Sequence, residues 1–327
     1  MQILNCSIGR NASVQASAVN NNNVFKSFIP KLKTLDKDTV TFSGVTKQQN
    51  AFLNTTDISA LTNTFAQKLN ALKESGNLSL ESAQALIKAI LPAQNVKVLP
   101  IDAINNDLPH IGDPGEQAIF GVFNPVLENK NAMKFNIYYD LSNNTDDKNK
   151  DVKNIAQVHE FVHLLQANTE HNYKTTLKAL KEPSMVVDSY QQMNGIFHAI
   201  EYNLYMNNNL PEENYIPLIK GYVDNYFSMS DTPPVLKFAM MSAYNEAQAH
   251  YESLNALMKM NEMSTLPEQS VYKTVYDTIP VYTNLANATL TMLKDRDKFL
   301  KDYDREFIDF YEKQLSALKK DYSELKV

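Results

Sequence analysis

Two of the six histidines in the 327 residues share one short segment, Ile155–Gln166, which reads Ile-Ala-Gln-Val-His-Glu-Phe-Val-His-Leu-Leu-Gln. In a helix, His159 and His163 stand one turn apart on the same face. Two imidazoles at that spacing can take one metal ion. Glu160, next to the first of them, can then serve as base for a water molecule that the ion activates. The apolar positions Ile155, Val158, Phe161, Val162, Leu164 and Leu165 surround the polar ones on nearly all sides, so the helix is expected to be buried. Buried ionisable groups are costly unless paired or bound, which favours a ligand role over ordinary core histidines.

The elements that must position this helix can be read on either side of it. Residues 1–50 are rich in Asn, Ser, Thr and Gln, with apolar residues too scattered to bury a core, and read as a disordered leader. Within 51–92, Ile58, Leu61, Phe65, Leu69 and Leu72 recur at helical spacing up to Gly76. Ser79 can cap a second helix that Pro92 ends, giving a helical hairpin. Strands are expected at Val96–Ile101, Ala118–Phe123 and Phe135–Tyr139, the last two joined by a long connection containing Pro125. In the third strand Phe135, Ile137 and Tyr139 alternate with Asn136 and Tyr138, which predicts one buried and one partly wet face. Ser142–Asp151 reads as a polar loop. The sheet and the histidine helix make up a unit over 93–172.

Residues 173–327 read as almost wholly helical. Helices are expected over Met185–Met206, Glu213–Ser228 and Val235–Met260. Val271–Tyr282 is ambiguous because it is rich in Val, Tyr and Thr, and Asn284–Lys326 reads as a long charged helix, unbroken or broken once, packed on the body. The fold class is therefore α+β, predominantly α.

At His159-Glu160-Phe161-Val162-His163 the sequence resembles the zincin metallopeptidases. The resemblance spans roughly residues 96–260. It implies one zinc ion, peptide-bond hydrolysis of a peptide or protein substrate, and a small twisted sheet ahead of the helix whose edge strand binds extended peptide. Phe135–Tyr139 stands in the corresponding place. A catalytic zinc takes three protein ligands and keeps one position open. The metzincin pattern needs a glycine and a third histidine shortly after the motif. Leu164–Thr169 contains no glycine, and position 169 is a threonine.

The gluzincin pattern instead takes a glutamate from a later helix. Asn245-Glu246-Ala247-Gln248-Ala249 fits it, 83 positions beyond His163 and with small neighbours that permit close helix approach. Glu201, in His198-Ala199-Ile200-Glu201, is the rival third ligand. Some gluzincins carry an aspartate just after the ligand-bearing element. Here that place is held by His250, one turn beyond Glu246, where it can hold a substrate oxyanion or add a ligand. Tyr244, Tyr251 and His198 are further candidates for an oxyanion donor. The resemblance thus implies His159, His163 and a glutamate, Glu246 with Glu201 as its rival, as zinc ligands and Glu160 as general base; His250 joins Glu160 as a catalytic candidate from its place beside Glu246.

Composition bounds the alternatives. The net charge of -6 argues against nucleic acid as a partner. Eight glycines leave little room for a phosphate loop, there is no Gly-x-Ser-x-Gly elbow, and the single cysteine, Cys6, excludes an intrachain disulfide. No run of apolar residues is long enough to span a membrane, and no secretory signal is recognisable. Cytoplasmic residence, or export without a classical signal peptide, is expected. A second functional class stays open: a non-catalytic helical binding protein with a vestigial or structural metal site. Oligomeric state is not legible.

Overall fold

The computed structural model describes residues 52–92, 94–104, 120–141, 147–182, 212–227, 233–267, 270–296 and 301–325. The leader over 1–50, the helix expected over Met185–Met206 and the first half of the Ser142–Asp151 loop lie outside these residues. What is described is mostly helical with one small mixed sheet, as the α+β reading expects.

Helix α1, Asp57–Glu74, buries Ile58, Phe65, Ala66 and Leu69 on one face. It stops where Gly76 adopts φ +70. There the Asn77 and Gly76 amides donate back to the carbonyls of Leu72 and Lys73, at 2.9 and 3.0 Å, a left-handed termination that a side chain would strain. Helix α2, Leu80–Ile90, is opened by Ser79, whose hydroxyl accepts from the Ser82 amide at 3.1 Å while Ser82 Oγ accepts from the Ser79 amide at 2.8 Å.

The sheet has the order β1-β3-β2. Strands β1 (Val96–Pro100) and β3 (Ala132–Tyr139) are parallel, and β2 (Gly121–Asn129) runs antiparallel to β3. Pro100 and Pro125 both fall on edge strands, where a missing N–H costs no ladder bond. Pro125 therefore does not end its strand, and β2 and β3 meet in a tight turn instead of the long connection expected. Both faces of β3 are buried: Phe135, Ile137 and Tyr139 join the main core, while Tyr138 packs with Ile101, Ile104 and Val122. The outer edge of β1 is closed by a side chain of α2. Gln84 donates to the Val96 carbonyl at 2.9 Å and accepts from the Val98 amide at 2.7 Å, as a neighbouring strand would.

Helix α3, Asp147–Ala167, carries the histidine pair. Its first turn forms from the second half of the expected polar loop. Every residue from Val152 to Thr169 is buried, as the all-round apolar pattern predicts. Helix α4 (Glu170–Lys181) follows directly, then α5 (Glu212–Tyr226), α6 (Pro233–Met260), α7 (Val271–Lys294) and α8 (Asp302–Ser323). The ambiguous Val271–Tyr282 is helical: Tyr272, Val275, Ile279 and Tyr282 fall at three and four and are buried, so burial overrides their modest helix propensity. Asn284 belongs to the same helix, and the long C-terminal helix expected from there is two helices.

Two hydrophobic clusters form the body. The first joins α1, α2, the sheet, α3, the C-terminal half of α6 and the start of α7; the second joins α5, the N-terminal half of α6, the rest of α7 and α8. Helix α6 runs through both.

Candidate metal centre

The two imidazoles converge as their spacing requires. The Nε2 atoms of His159 and His163 lie 2.9 Å apart, with the rings close to perpendicular at 82°. Helix α6 crosses α3 at this point, with Ala249 in the shared core. Its Glu246 places Oε2 3.3 Å from His159 Nε2 and Oε1 3.5 Å from His163 Nε2. Each histidine nitrogen thus faces one oxygen of the Glu246 carboxylate, and one ligand atom from each of the three residues lies within 4.8 Å of the others. The donor set, two imidazole nitrogens and a carboxylate, all buried, can hold a metal ion.

The electrostatics suit the same role. Burial pushes the Glu246 carboxyl up, but the charge of His163 and the hydrogen bonds of both histidines outweigh it and hold the group well below the usual carboxylate range. Glu246 is thus a preformed anion. Burial and the neighbouring His163 lower His159, while Glu246 overcomes burial and raises His163.

Glu160 differs. Burial, with a smaller contribution from Glu246, pushes it up to about 8 against the opposing pull of His163 and a hydrogen bond from the Phe123 amide. Its Oε2 is buried without a hydrogen-bond partner among the described residues. Phe123 belongs to β2, the edge strand that packs on α3. The approach is close because residue 121 is glycine. A Cβ there would lie 2.8 Å from Glu160 Cγ and 3.3 Å from the Ala156 carbonyl oxygen. Sequence reasoning missed Gly121. The available signal was a glycine within a strand, which marks close backbone approach.

The strand expected to border the cleft is corrected. Phe135–Tyr139 lies in the central strand, with both hydrogen-bonding edges occupied by β1 and β2. The edge beside the motif helix belongs to β2.

His250 stands against the cluster, its ring 4.5 Å from that of His159 and 5.5 Å from that of Tyr282. Its Nδ1, like that of His159, is buried with no partner among the described residues. Burial first, then His159, hold it well below the usual histidine range, so it is neutral. Tyr244 lies with the C-terminal helix: its ring packs on Tyr311 at 5.2 Å and its hydroxyl donates to Gln314 at 3.4 Å. Tyr251 is partly buried and borders both hydrophobic clusters. Glu201 and His198 lie outside the described residues.

Gln166, inside the opening segment, also has a place in the site. Its side chain lies 2.8 Å from His163 Nδ1. The i,i+3 spacing from His163 was the signal for it.

Cavities of about 190 Å³ between α4, α6 and α8 and about 250 Å³ between α5 and α7 lie elsewhere, and no member of the cluster lines either. The chain matches no protein-family model, no curated protein and no solved structure.

Proposed function

We propose that the chain is a zinc-dependent metallopeptidase, with His159, His163 and Glu246 as ligands and Glu160 as general base. The observation that carries this reading is the meeting of three buried donor groups from two helices within reach of one ion, with a second carboxylate, Glu160, beside them. Zinc suits a mixed nitrogen and oxygen donor set with three protein ligands and a fourth position left over. When bound there, the ion supplies Lewis acidity that polarises an amide carbonyl and makes water a better nucleophile.

The protein's own groups do the rest. The Phe123 amide holds one side of the Glu160 carboxylate while its Oε2 remains available to accept a proton from the attacking water. A carboxyl raised toward neutrality is matched to accepting that proton and returning it to the leaving amine. An extended peptide would lie along β2, the edge strand beside α3. His250 is the donor nearest to the cluster for a developing oxyanion, because Tyr244 is engaged with α8.

The depth of the cluster favours one other reading, a structural metal site in a non-catalytic helical protein, since closed structural sites need no access. Zinc stoichiometry and cleavage of an unstructured protein such as casein, measured for wild type and Glu160→Gln, separate the two. Zinc in both proteins with cleavage only by the wild type is the expected result. Zinc in both with cleavage by neither supports the structural reading, and a wild type that binds no zinc overturns both.

A further inference from the structure

One buried side chain in the site has its orientation dictated from outside. Gln166 lies one turn beyond His163 on α3. Its amide nitrogen is 2.9 Å from the backbone carbonyl of Asn245 and 3.1 Å from Gln248 Oε1, both on α6. A backbone carbonyl can only accept. The NH2 end of Gln166 must therefore face Asn245, and its oxygen must face His163 Nδ1, 2.8 Å away. An amide oxygen can only accept as well, so Nδ1 of His163 carries the proton. A metal ion would bind the imidazole in its neutral form, and with Nδ1 protonated the lone pair offered to it is on Nε2, the atom that faces Glu246 and His159. The tautomer of a buried ligand is thus fixed by a main-chain group 82 residues away from it in sequence, at the position just before Glu246.

The backbone of Gln166 is held as well. Its main-chain carbonyl accepts from Thr169 Oγ1 at 2.8 Å and from Asn172 Nδ2 at 3.0 Å. Asn172 Nδ2 also donates to Asn245 Oδ1 at 3.2 Å, and the Tyr311 hydroxyl of α8 donates to Asn172 Oδ1. His159 has no counterpart: its Nδ1 is buried and unpartnered among the described residues. Support for the ligand pair comes from one side.

We infer that Gln166 is the positioning residue of the metal centre, holding His163 in the ligating tautomer and tying its ring to the helix that delivers Glu246. This inference rests on the metal reading above. The partner of a ligating imidazole fixes its ring and raises its basicity, and its loss weakens metal affinity by roughly 10- to 100-fold. Gln166→Met keeps the length and removes all three side-chain hydrogen bonds. Gln166→Glu keeps the acceptor for Nδ1 and loses the donor to Asn245.

The test is competition titration of Zn2+, together with the visible spectrum of the Co2+-loaded protein, on wild type and both variants. Gln166→Met is expected to lose affinity roughly 10- to 100-fold with a shifted Co2+ band at unchanged helicity, and Gln166→Glu to regain part of the affinity. Wild-type affinity and an unchanged band in Gln166→Met overturn the inference while leaving the metal site standing. A wild type that binds neither ion overturns the metal site and this inference with it. The tautomer is read without any substitution from long-range 1H–15N correlations of the metal-free wild type. A proton on His163 Nδ1 is expected, and a bare Nδ1 overturns the inference whether or not the variants fold.

Discussion

Glu160 and Glu246 are buried carboxylates of one cluster with opposite behaviour, and the difference suits the roles proposed for them. Glu246 has two imidazoles against it and stays ionised, as a ligand must; Glu160 has one amide and an apolar setting and is raised toward neutrality. Glu246→Ala is therefore expected to lower zinc affinity by ~100-fold or more, since a whole ligand is removed and not merely its support, whereas Glu201→Ala leaves it unchanged. Equilibrium dialysis against zinc decides this, and the reverse pattern would move the third ligand to Glu201. Glu160→Gln keeps the shape and the metal but cannot accept a proton, so cleavage is expected to fall by about 10²–10⁴-fold. At this scale the sequence was highly legible for His159, Glu160 and His163, because helical spacing alone puts them together. Glu246 was legible only through its small neighbours and a family-like context. Gln166 was not read, since its partner lies on a helix that only tertiary structure brings near.

Between elements, the tightest contact in the site is β2 on α3. Gly121→Ala puts a methyl group where Glu160 Cγ and a backbone oxygen already stand. Overpacking of this kind costs typically ~1–3 kcal/mol, and here relief comes from moving Glu160 or lifting the strand. The expected result is retained zinc with markedly reduced cleavage; a variant with wild-type turnover would show that the strand does not position the base. The identity of that strand was misread because Phe135–Tyr139 comes just ahead of the helix in sequence, and only the sheet order shows that it is the central strand.

A second contact, of α1 with α6, titrates. Both oxygens of Glu252 accept from Ser59 Oγ, at 2.7 and 2.8 Å. Burial, then the charge of Asp321, push Glu252 from 4.5 to about 7 against the pull of Ser59 and Lys259. The folded state thus keeps a proton that the unfolded chain releases at lower pH. The stabilisation is complete below the ordinary carboxyl value and is lost as pH rises towards 7. Glu252→Gln should match the wild type in acid and exceed it at pH 8 by on the order of 2 kcal/mol. Thermal melts of both proteins from pH 4.5 to 8 would contradict this if the two curves stayed parallel.

For the molecule as a whole, the centre joins α3 to α6, and α6 is shared by the two hydrophobic clusters. Metal bound there stabilises the folded chain by mass action, ~4 kcal/mol at a thousandfold excess over Kd. Removing it with a chelator is expected to lower the melting temperature in one cooperative transition seen by both far- and near-ultraviolet dichroism. Two separated transitions would mean that the clusters unfold independently. Among the described residues no helix is long and apolar enough to cross a membrane. The helical character of the C-terminal half was legible from periodicity. Its division into two clusters along one helix was not, because every helix there has an apolar face and periodicity does not say which faces meet.

The path of α6 also sets an order of events during synthesis. The two histidines leave the ribosome 87 and 83 residues before Glu246 does, and α6 then has to dock on a helix already made. Until that docking the chain offers an ion only two imidazoles, on a helix whose burial depends on partners not yet translated. Closing a loop of this length costs entropy that rises only slowly with size, so the delay is one of timing more than of energy. The full ligand set exists only after the helical C-terminal part has folded, and the nascent protein has no complete site with which to compete for metal.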